Sequence, residues 1–230
     1  MDESKALEFV VIVEVVALLG LLLMGALLVV ALMSPHWLVG WWASLTAPEP
    51  KAFWYLSRVA GLIAYTLLCL AVILGLSVTN KLARVWPGGP AAVDLHQFAS
   101  LLGLSFTAFH VLVLLGDHYI GYTLPQLLIP FASTDYRPLW VGLGQIALYL
   151  AVPIALSFYV RRWIGYRTWR SLHYGTFGVY ALTTLHGLLA GTDAQNPLVL
   201  ALYGGTALVV VGLTVHRLRL TALQTRRALS

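Results

Sequence analysis

The sequence has one cysteine and very few charged residues. Cys69 is the only thiol among 230 residues, which excludes an intrachain disulfide and any cluster held by several thiolates. Charged side chains make up 10% of the chain and hydrophobic ones 60%, whereas soluble domains have about a quarter charged and about half apolar residues. The composition therefore excludes an ordinary soluble globule and predicts a single all-α membrane domain.

Two sequence patterns are also missing. No G-x-G-x-x-G or similar nucleotide motif occurs, so no dinucleotide-binding domain is expected within the chain. The net charge is +5, but the basic residues cluster at the ends of apolar runs and are not interleaved with aromatic residues as in a nucleic-acid binder. Nucleic acid is therefore not an expected partner.

Long apolar runs dominate what is present. A membrane-spanning helix needs about 20 apolar residues, and six stretches qualify, near 9–33, 55–79, 93–116, 139–160, 170–190 and 198–218. The longest connection, 117–138, is expected to lie along the surface with a short amphipathic turn around Leu124 to Ile129. The sequence predicts a bundle of six transmembrane helices in the lipid bilayer.

Lysine and arginine are divided unequally between the two sides of this bundle. The side with the termini carries eleven of them, which are Lys5, Lys81, Arg84, Arg161, Arg162, Arg167, Arg170, Arg217, Arg219, Arg226 and Arg227. The opposite side carries three, which are Lys51, Arg58 and Arg137. Connections rich in Lys and Arg stay in the cytoplasm. Both termini are therefore predicted to be cytoplasmic, in a multi-pass protein of the cell membrane.

Four of the seven histidines lie inside two of these spans. His96 and His110 are fourteen residues apart in the third span, and His173 and His186 are thirteen apart in the fifth. At a rise of about 1.5 Å per residue, the steps correspond to roughly 21 and 20 Å along the helix axes. Both spans enter from the cytoplasm, so His96 can face His173 at the inner depth and His110 can face His186 at the outer depth.

Paired imidazoles at two depths indicate two haems. Imidazole is a standard axial ligand of haem iron, and ionisable residues within a membrane are costly enough to indicate function. Separations near 20 Å exclude one metal site shared by all four side chains. The alternatives are histidines that only pack or hydrogen-bond, or a proton or solute transporter with a histidine relay. His36, His118 and His216 are interpreted as surface residues.

The unequal spacing raises a geometric difficulty. At about 100° per residue, His110 comes within about 40° of His96, but His186 lies about 140° from His173. The fifth span must either meet the two sites on different sides or be distorted near Gly175 and Gly178.

The third and fifth spans resemble the ferric reductase-like transmembrane domain shared by ferric reductases and NADPH oxidases. The matching features are the two histidine steps, the entry WRSLH before the fifth span and the segment WYLSRVAGLIAYTLL, which contains Arg58. The resemblance implies two b-type haems, an inner one on His96 and His173 and an outer one on His110 and His186.

It also implies outward electron transfer, and two arginines fit that activity. Arg58 is a candidate for the outer haem or acceptor site, the alternative being an arginine at the membrane interface. Arg170 is a candidate for the inner haem propionates, the alternative being a topology charge.

Larger relatives in this family continue into a domain that binds FAD and NADPH, for which no motif is present here. The expected donor is therefore a separate cytoplasmic flavin reductase, a quinol or a bound flavin. The expected outer acceptor is a ferric chelate, oxygen or a partner protein. The chain is thus interpreted as a ferric reductase-like oxidoreductase, or alternatively as a haem-bearing subunit that delivers electrons to an outer partner enzyme.

Overall fold

The computed structural model describes residues 51–229 except Trp86, His118, Tyr119 and Asp135. This part is all helical, with seven α-helices and three short 3-10 turns at Leu82–Arg84, Val113–Gly116 and Thr192–Gln195. The helices are α1 Ala52–Thr79, α2 Gly89–Leu112, α3 Leu124–Leu128, α4 Pro138–Ile164, α5 Tyr166–His173, α6 Thr176–Ala190 and α7 Pro197–Leu229. The predicted span 9–33 lies outside the described residues, as do His36 and His118.

Four of the described helices are long and apolar enough to cross a membrane. They are Ala52–Thr79, Gly89–Gly116, Pro138–Ile164 and Pro197–Ala222, and they correspond to the spans predicted near 55–79, 93–116, 139–160 and 198–218. The all-helical membrane fold is therefore confirmed in this part of the chain.

The predicted span 170–190 is not one continuous helix. It is divided into α5 and α6 at Tyr174 and Gly175. The backbone tightens there, because the Gly175 N–H donates to Leu172 O at 2.9 Å and the Phe177 N–H donates to Tyr174 O at 3.2 Å, both in the i to i−3 pattern of a 3-10 turn. A Cβ at position 175 would lie 2.8 Å from Ile154 and 2.9 Å from the Leu172 carbonyl. Glycine thus allows α4 to approach the break closely.

A second break separates α4 from α5 at Gly165. This residue has φ +83°, a conformation that favours glycine. The Gly165 N–H donates to Arg161 O at 3.0 Å and closes α4, while the Gly165 carbonyl accepts from the Trp169 N–H at 3.0 Å and opens α5. Helix α5 is therefore a separate two-turn segment between two breaks.

The packed core joins α1 to α6 and α7. Tyr65, Cys69 and Val72 of α1 pack with Tyr180 of α6 and Tyr203 of α7. Cys69 is 2% exposed and therefore serves as a packing residue of this core.

The connection after α2 contains the short helix that the sequence predicted around Leu124 to Ile129. Helix α3 begins with a capping box, in which the Thr123 N–H donates to Gln126 Oε1 at 2.9 Å. Gln145 of α4 fastens the other end, because its side-chain nitrogen donates to the carbonyls of Gln126 and Leu127 at 2.8 Å each.

Candidate functional site: two histidine pairs in one cavity

The four histidines of the predicted spans meet as two pairs. The rings of His96 and His173 have centroids 5.9 Å apart, and those of His110 and His186 have centroids 6.2 Å apart. The ring planes within the pairs cross at 72° and 76°. The structure therefore brings together the same partners that the matching depths predicted, which we call the inner pair and the outer pair in that order.

Both histidines of α2 are anchored on the backbone of α1. The His96 Nδ1–H donates to Ala71 O at 2.7 Å, and the His110 Nδ1–H donates to Ser57 O at 2.7 Å. The two acceptors are fourteen residues apart, as are the two histidines. The buried Ser57 hydroxyl adds to the outer anchor, since it donates to His110 O at 2.9 Å and lies 2.9 Å from Nδ1.

His186 uses the same kind of anchor on α4. Its Nδ1–H donates to Trp140 O at 2.9 Å. In all three cases the acceptor is a main-chain carbonyl inside a helix, which already accepts the N–H four residues later. The ring nitrogen thus shares the carbonyl with the helix.

A glycine four residues after each of these carbonyls leaves the carbonyl oxygen accessible to the imidazole. The residue four positions after the acceptor is Gly61 for Ser57, Gly75 for Ala71 and Gly144 for Trp140. A side chain at that position lies over the carbonyl one turn before it. A Cβ would come 3.0 Å from His110 at Gly61, 3.3 Å from His96 at Gly75 and 2.6 Å from His186 at Gly144. We call these three residues the notch glycines.

The anchors determine which nitrogen of each ring carries the proton. A carbonyl accepts hydrogen bonds and cannot donate them, so Nδ1 must be the protonated nitrogen in His96, His110 and His186. In the neutral imidazole, Nε2 then keeps a free lone pair, which is the form that ligates a metal. An N–H donated to a backbone carbonyl is also the usual outer-shell contact of a metal-bound histidine.

His173 is held differently. It is the last residue of α5, and its ring stacks on Trp169 with centroids 5.3 Å apart and planes at 26°. Among the described residues, no hydrogen bond to the His173 ring is present. The indole Nε1 of Trp169 is buried and also has no hydrogen-bond partner within the described part of the chain.

One cavity connects the two pairs. It has a volume of about 850 Å³, and all four histidines line it together with mostly apolar side chains from α1, α2, α4 and α6. No group of three His, Cys, Asp or Glu side chains within the described residues comes together to hold a metal ion. Each pair therefore offers two ligands, which suits a metal that brings its own equatorial ligands.

Arg58 lies at the outer end of this cavity and is bound to an acid. Its Nε donates to Asp193 Oδ2 at 2.7 Å, and a second guanidinium nitrogen donates to Oδ1. The side chains of Arg58 and Asp193 are 30% and 27% exposed. The ion pair joins α1 to the α6–α7 connection. Tyr136, which precedes α4, lines the cavity nearby, and its hydroxyl donates to Ala190 O at 2.7 Å.

Arg170 lies at the inner end of the cavity. Its Nε donates to the Tyr174 hydroxyl at 3.1 Å, and another guanidinium nitrogen donates to the Tyr166 hydroxyl at 3.3 Å. Arg161 and Arg217 line the same end of the cavity. The inner end thus carries three arginines. Of these, only Arg170 was predicted from the sequence as a partner of the inner haem propionates.

The notch glycines were only partly identified from the sequence. In the segment WYLSRVAGLIAYTLL, Gly61 invites interpretation as a position of close approach, whereas no motif in the sequence singles out Gly75 or Gly144 as the neighbour of a histidine. A signal was present, because Gly61 and Gly75 are fourteen residues apart, the same step as His96 and His110. Gly178, the other position proposed for a helix distortion, has open space around its Cβ direction and lies inside α6.

Taken together, the fold and the site define a multi-pass helical membrane protein with two intramembrane histidine pairs. The family model described as ferric reductase like transmembrane component matches residues 60–184, more than half of the chain. The chain therefore belongs to the ferric reductase-like transmembrane family, as the sequence resemblance implied. No curated protein and no solved structure matches it.

Proposed function

We propose that this protein carries electrons across the membrane through two b-type haems, one on His96 and His173 and the other on His110 and His186. The observation that carries the proposal is the meeting of two imidazole pairs inside one cavity. The membership of the family supports electron transfer in general, and the histidine geometry supports the number and positions of the haems.

The residues fit this cofactor. A metal–imidazole bond is about 2 Å long, and a ring nitrogen lies about 1 Å from its ring centroid, so two imidazoles on one iron have centroids about 6 Å apart. The observed separations are 5.9 and 6.2 Å. Three of the four rings also have Nδ1 protonated by necessity and Nε2 free. The cavity between the pairs is continuous and lined largely by apolar side chains.

When bound, a haem supplies reversible one-electron chemistry at its iron. His96 with His173 and His110 with His186 would hold one iron each, and an iron held by two histidines favours electron transfer over binding of a small molecule. The carbonyl anchors would hold three of the four rings, those of His96, His110 and His186, in place during each transfer. In the topology proposed here, with cytoplasmic termini in the cell membrane, the inner pair receives electrons from a flavin reductase or quinol and the outer pair delivers them.

The first test is haem content and type. Purified protein from haem-replete cells is expected to contain about two b-type haems per chain in a pyridine haemochrome assay, since each bis-histidine site takes one. Reduced-minus-oxidised spectra should show that both are reducible. Colourless protein, with or without proton flux, would contradict the proposal.

The second test concerns Arg58 as a site for an anionic acceptor such as a ferric chelate. Asp193→Asn weakens the ion pair but leaves the guanidinium, whereas Arg58→Ala removes it. If Arg58 binds the acceptor through charge-assisted bonds, Arg58→Ala lowers the rate of chelate reduction about tenfold, and Asp193→Asn keeps or raises it.

The measurement is the reoxidation of the reduced protein by an anionic ferric chelate. Equal losses in both variants would show instead that the ion pair only fastens the α6–α7 connection to α1. A partly exposed pair contributes about 0.5 kcal/mol or less to stability, so both variants are expected to fold.

A further inference from the structure

Aromatic rings in contact lead from the surface to the inner pair. Tyr166, at the start of α5, is 62% exposed. Its ring lies 5.5 Å from that of Trp169, which lies 5.3 Å from His173, which lies 5.9 Å from His96. We call these four residues the α5 ring series. The first two separations are in the range of direct aromatic contact, and the third is that of the two proposed ligands of the inner iron.

The surroundings of Tyr166 are strongly cationic. We define the inner face as the end of the bundle formed by the α1–α2 connection, the α4–α5 turn and the adjoining helix ends. Its described residues include eight Lys or Arg and one acid, namely Lys81, Arg84, Arg161, Arg162, Arg167, Arg170, Arg217 and Arg219 with Asp94. The other two described acids, Asp117 and Asp193, belong to the opposite end. A cationic surface around an exposed ring is complementary to an acidic protein surface.

We propose that the patch around Tyr166 and Arg167 is the docking surface for an acidic one-electron carrier protein, and that the α5 ring series is the electron route from that carrier to the inner pair. This inference rests on the proposed function and makes the carrier, in place of the flavin reductase or quinol, the direct donor to the inner pair. Electron tunnelling weakens steeply across empty gaps, so rings in contact give a better coupled path than separated side chains. In the step, the carrier loses one electron and the inner site gains it, and no bond or proton changes.

The chain contains a matched control for this route. Trp163 is 71% exposed and lies three residues before Tyr166. Its ring contacts the guanidinium of Arg162 at 4.7 Å, and within the described residues no ring contact joins it to the α5 ring series. Trp163 and Tyr166 thus share exposure and cationic neighbours but differ in connection to His173.

The experiment uses the haem-loaded protein in nanodiscs of neutral phosphatidylcholine, with reduced plant-type ferredoxin as the probe, and follows haem reduction by stopped flow. Tyr166→Leu is expected to lower the second-order rate constant about tenfold, and Trp163→Leu to change it less than about twofold. Arg167→Glu should lower the rate constant and flatten its dependence on salt, as expected for a charge at a docking surface. Trp169→Phe keeps a ring in the series and should retain most of the rate.

Dithionite separates this inference from the proposed function. It should reduce the Tyr166→Leu, Trp163→Leu and Arg167→Glu variants at the wild-type rate, and haem content should be equal in these three. Equal ferredoxin rates for Tyr166→Leu and Trp163→Leu would overturn the docking proposal while leaving the haem proposal intact. It would also be overturned if Tyr166→Leu and Arg167→Glu weakened binding to anionic vesicles without changing the ferredoxin rate, since the patch would then be a lipid contact.

Discussion

Replacing His110 by alanine is expected to lower the haem content from about two to about one per chain. The variant removes one of the two proposed ligands of the outer haem and leaves His186 alone on its anchor, while the inner pair stays complete. Pyridine haemochrome on the purified variant measures the loss directly. The reduced-minus-oxidised spectrum should keep the contribution of the inner site.

His216→Ala is the control for this experiment. His216 is an exposed residue of α7, as its interpretation as a surface residue requires, and its loss should leave two haems per chain. A His110→Ala protein that keeps two haems, or a His216→Ala protein that loses one, would contradict the ligand assignment.

Gly144→Ala is expected to remove the outer haem or to reduce its occupancy severalfold, although the change adds one methyl group. The new Cβ would lie 2.6 Å from His186 Nδ1, closer than nonbonded atoms approach. The imidazole must move and lose its bond to Trp140 O. Haem content and the spectrum of the outer site measure the effect.

The other notch glycines should give smaller losses in a fixed order. The built Cβ contacts lengthen from 2.6 Å at Gly144 to 3.0 Å at Gly61 and 3.3 Å at Gly75, so haem retention should rise along that series, with Gly75→Ala affecting the inner site. Gly178→Ala is the matched control, because nothing lies within 4 Å of its Cβ. Alanine there should be neutral or stabilising by about 0.5–1 kcal/mol through helix propensity. Equal losses at Gly144 and Gly178 would contradict the steric explanation.

The pairing of the histidines could be predicted from the sequence. Helical rise converts residue count into height with little dependence on neighbouring packing, so steps of fourteen and thirteen residues gave matching pairs. The direction in which a side chain points is less predictable, because it depends on every distortion between the two positions. The ideal-helix angle of about 140° between His173 and His186 does not apply across the break at Tyr174 and Gly175.

The anchors could not be predicted in the same way. A main-chain carbonyl is present at every residue, so the amino acid at the acceptor position does not show that its carbonyl binds His96, His110 or His186. The only sequence signal is the glycine four residues later. Glycine is common in membrane helices for other reasons, such as close helix packing, and this made Gly75 and Gly144 indistinguishable from packing glycines in the sequence.

Arg58 shows a limit of another kind. It lies at the end of the cavity that holds His110 and His186, but its partner Asp193 is 135 residues away in sequence. Only the arrangement of α1 beside the α6–α7 connection brings the two together. The sequence therefore identified a cation at the outer end of the cavity without its bound acid.

The carbonyl anchors make the tautomers of three histidines robust to most changes in sequence. Any amino acid at position 140 supplies the same main-chain oxygen, and so does any residue at position 71 that is small enough for the space of Ala71, which is 3% exposed. Sensitivity is instead concentrated at Gly61, Gly75 and Gly144, where even the smallest side chain intrudes. In a mutational survey, haem content should thus tolerate substitution at the acceptor residue but not at the glycine one helical turn later. These glycines lie on α1 and α4, two helices that carry no histidine.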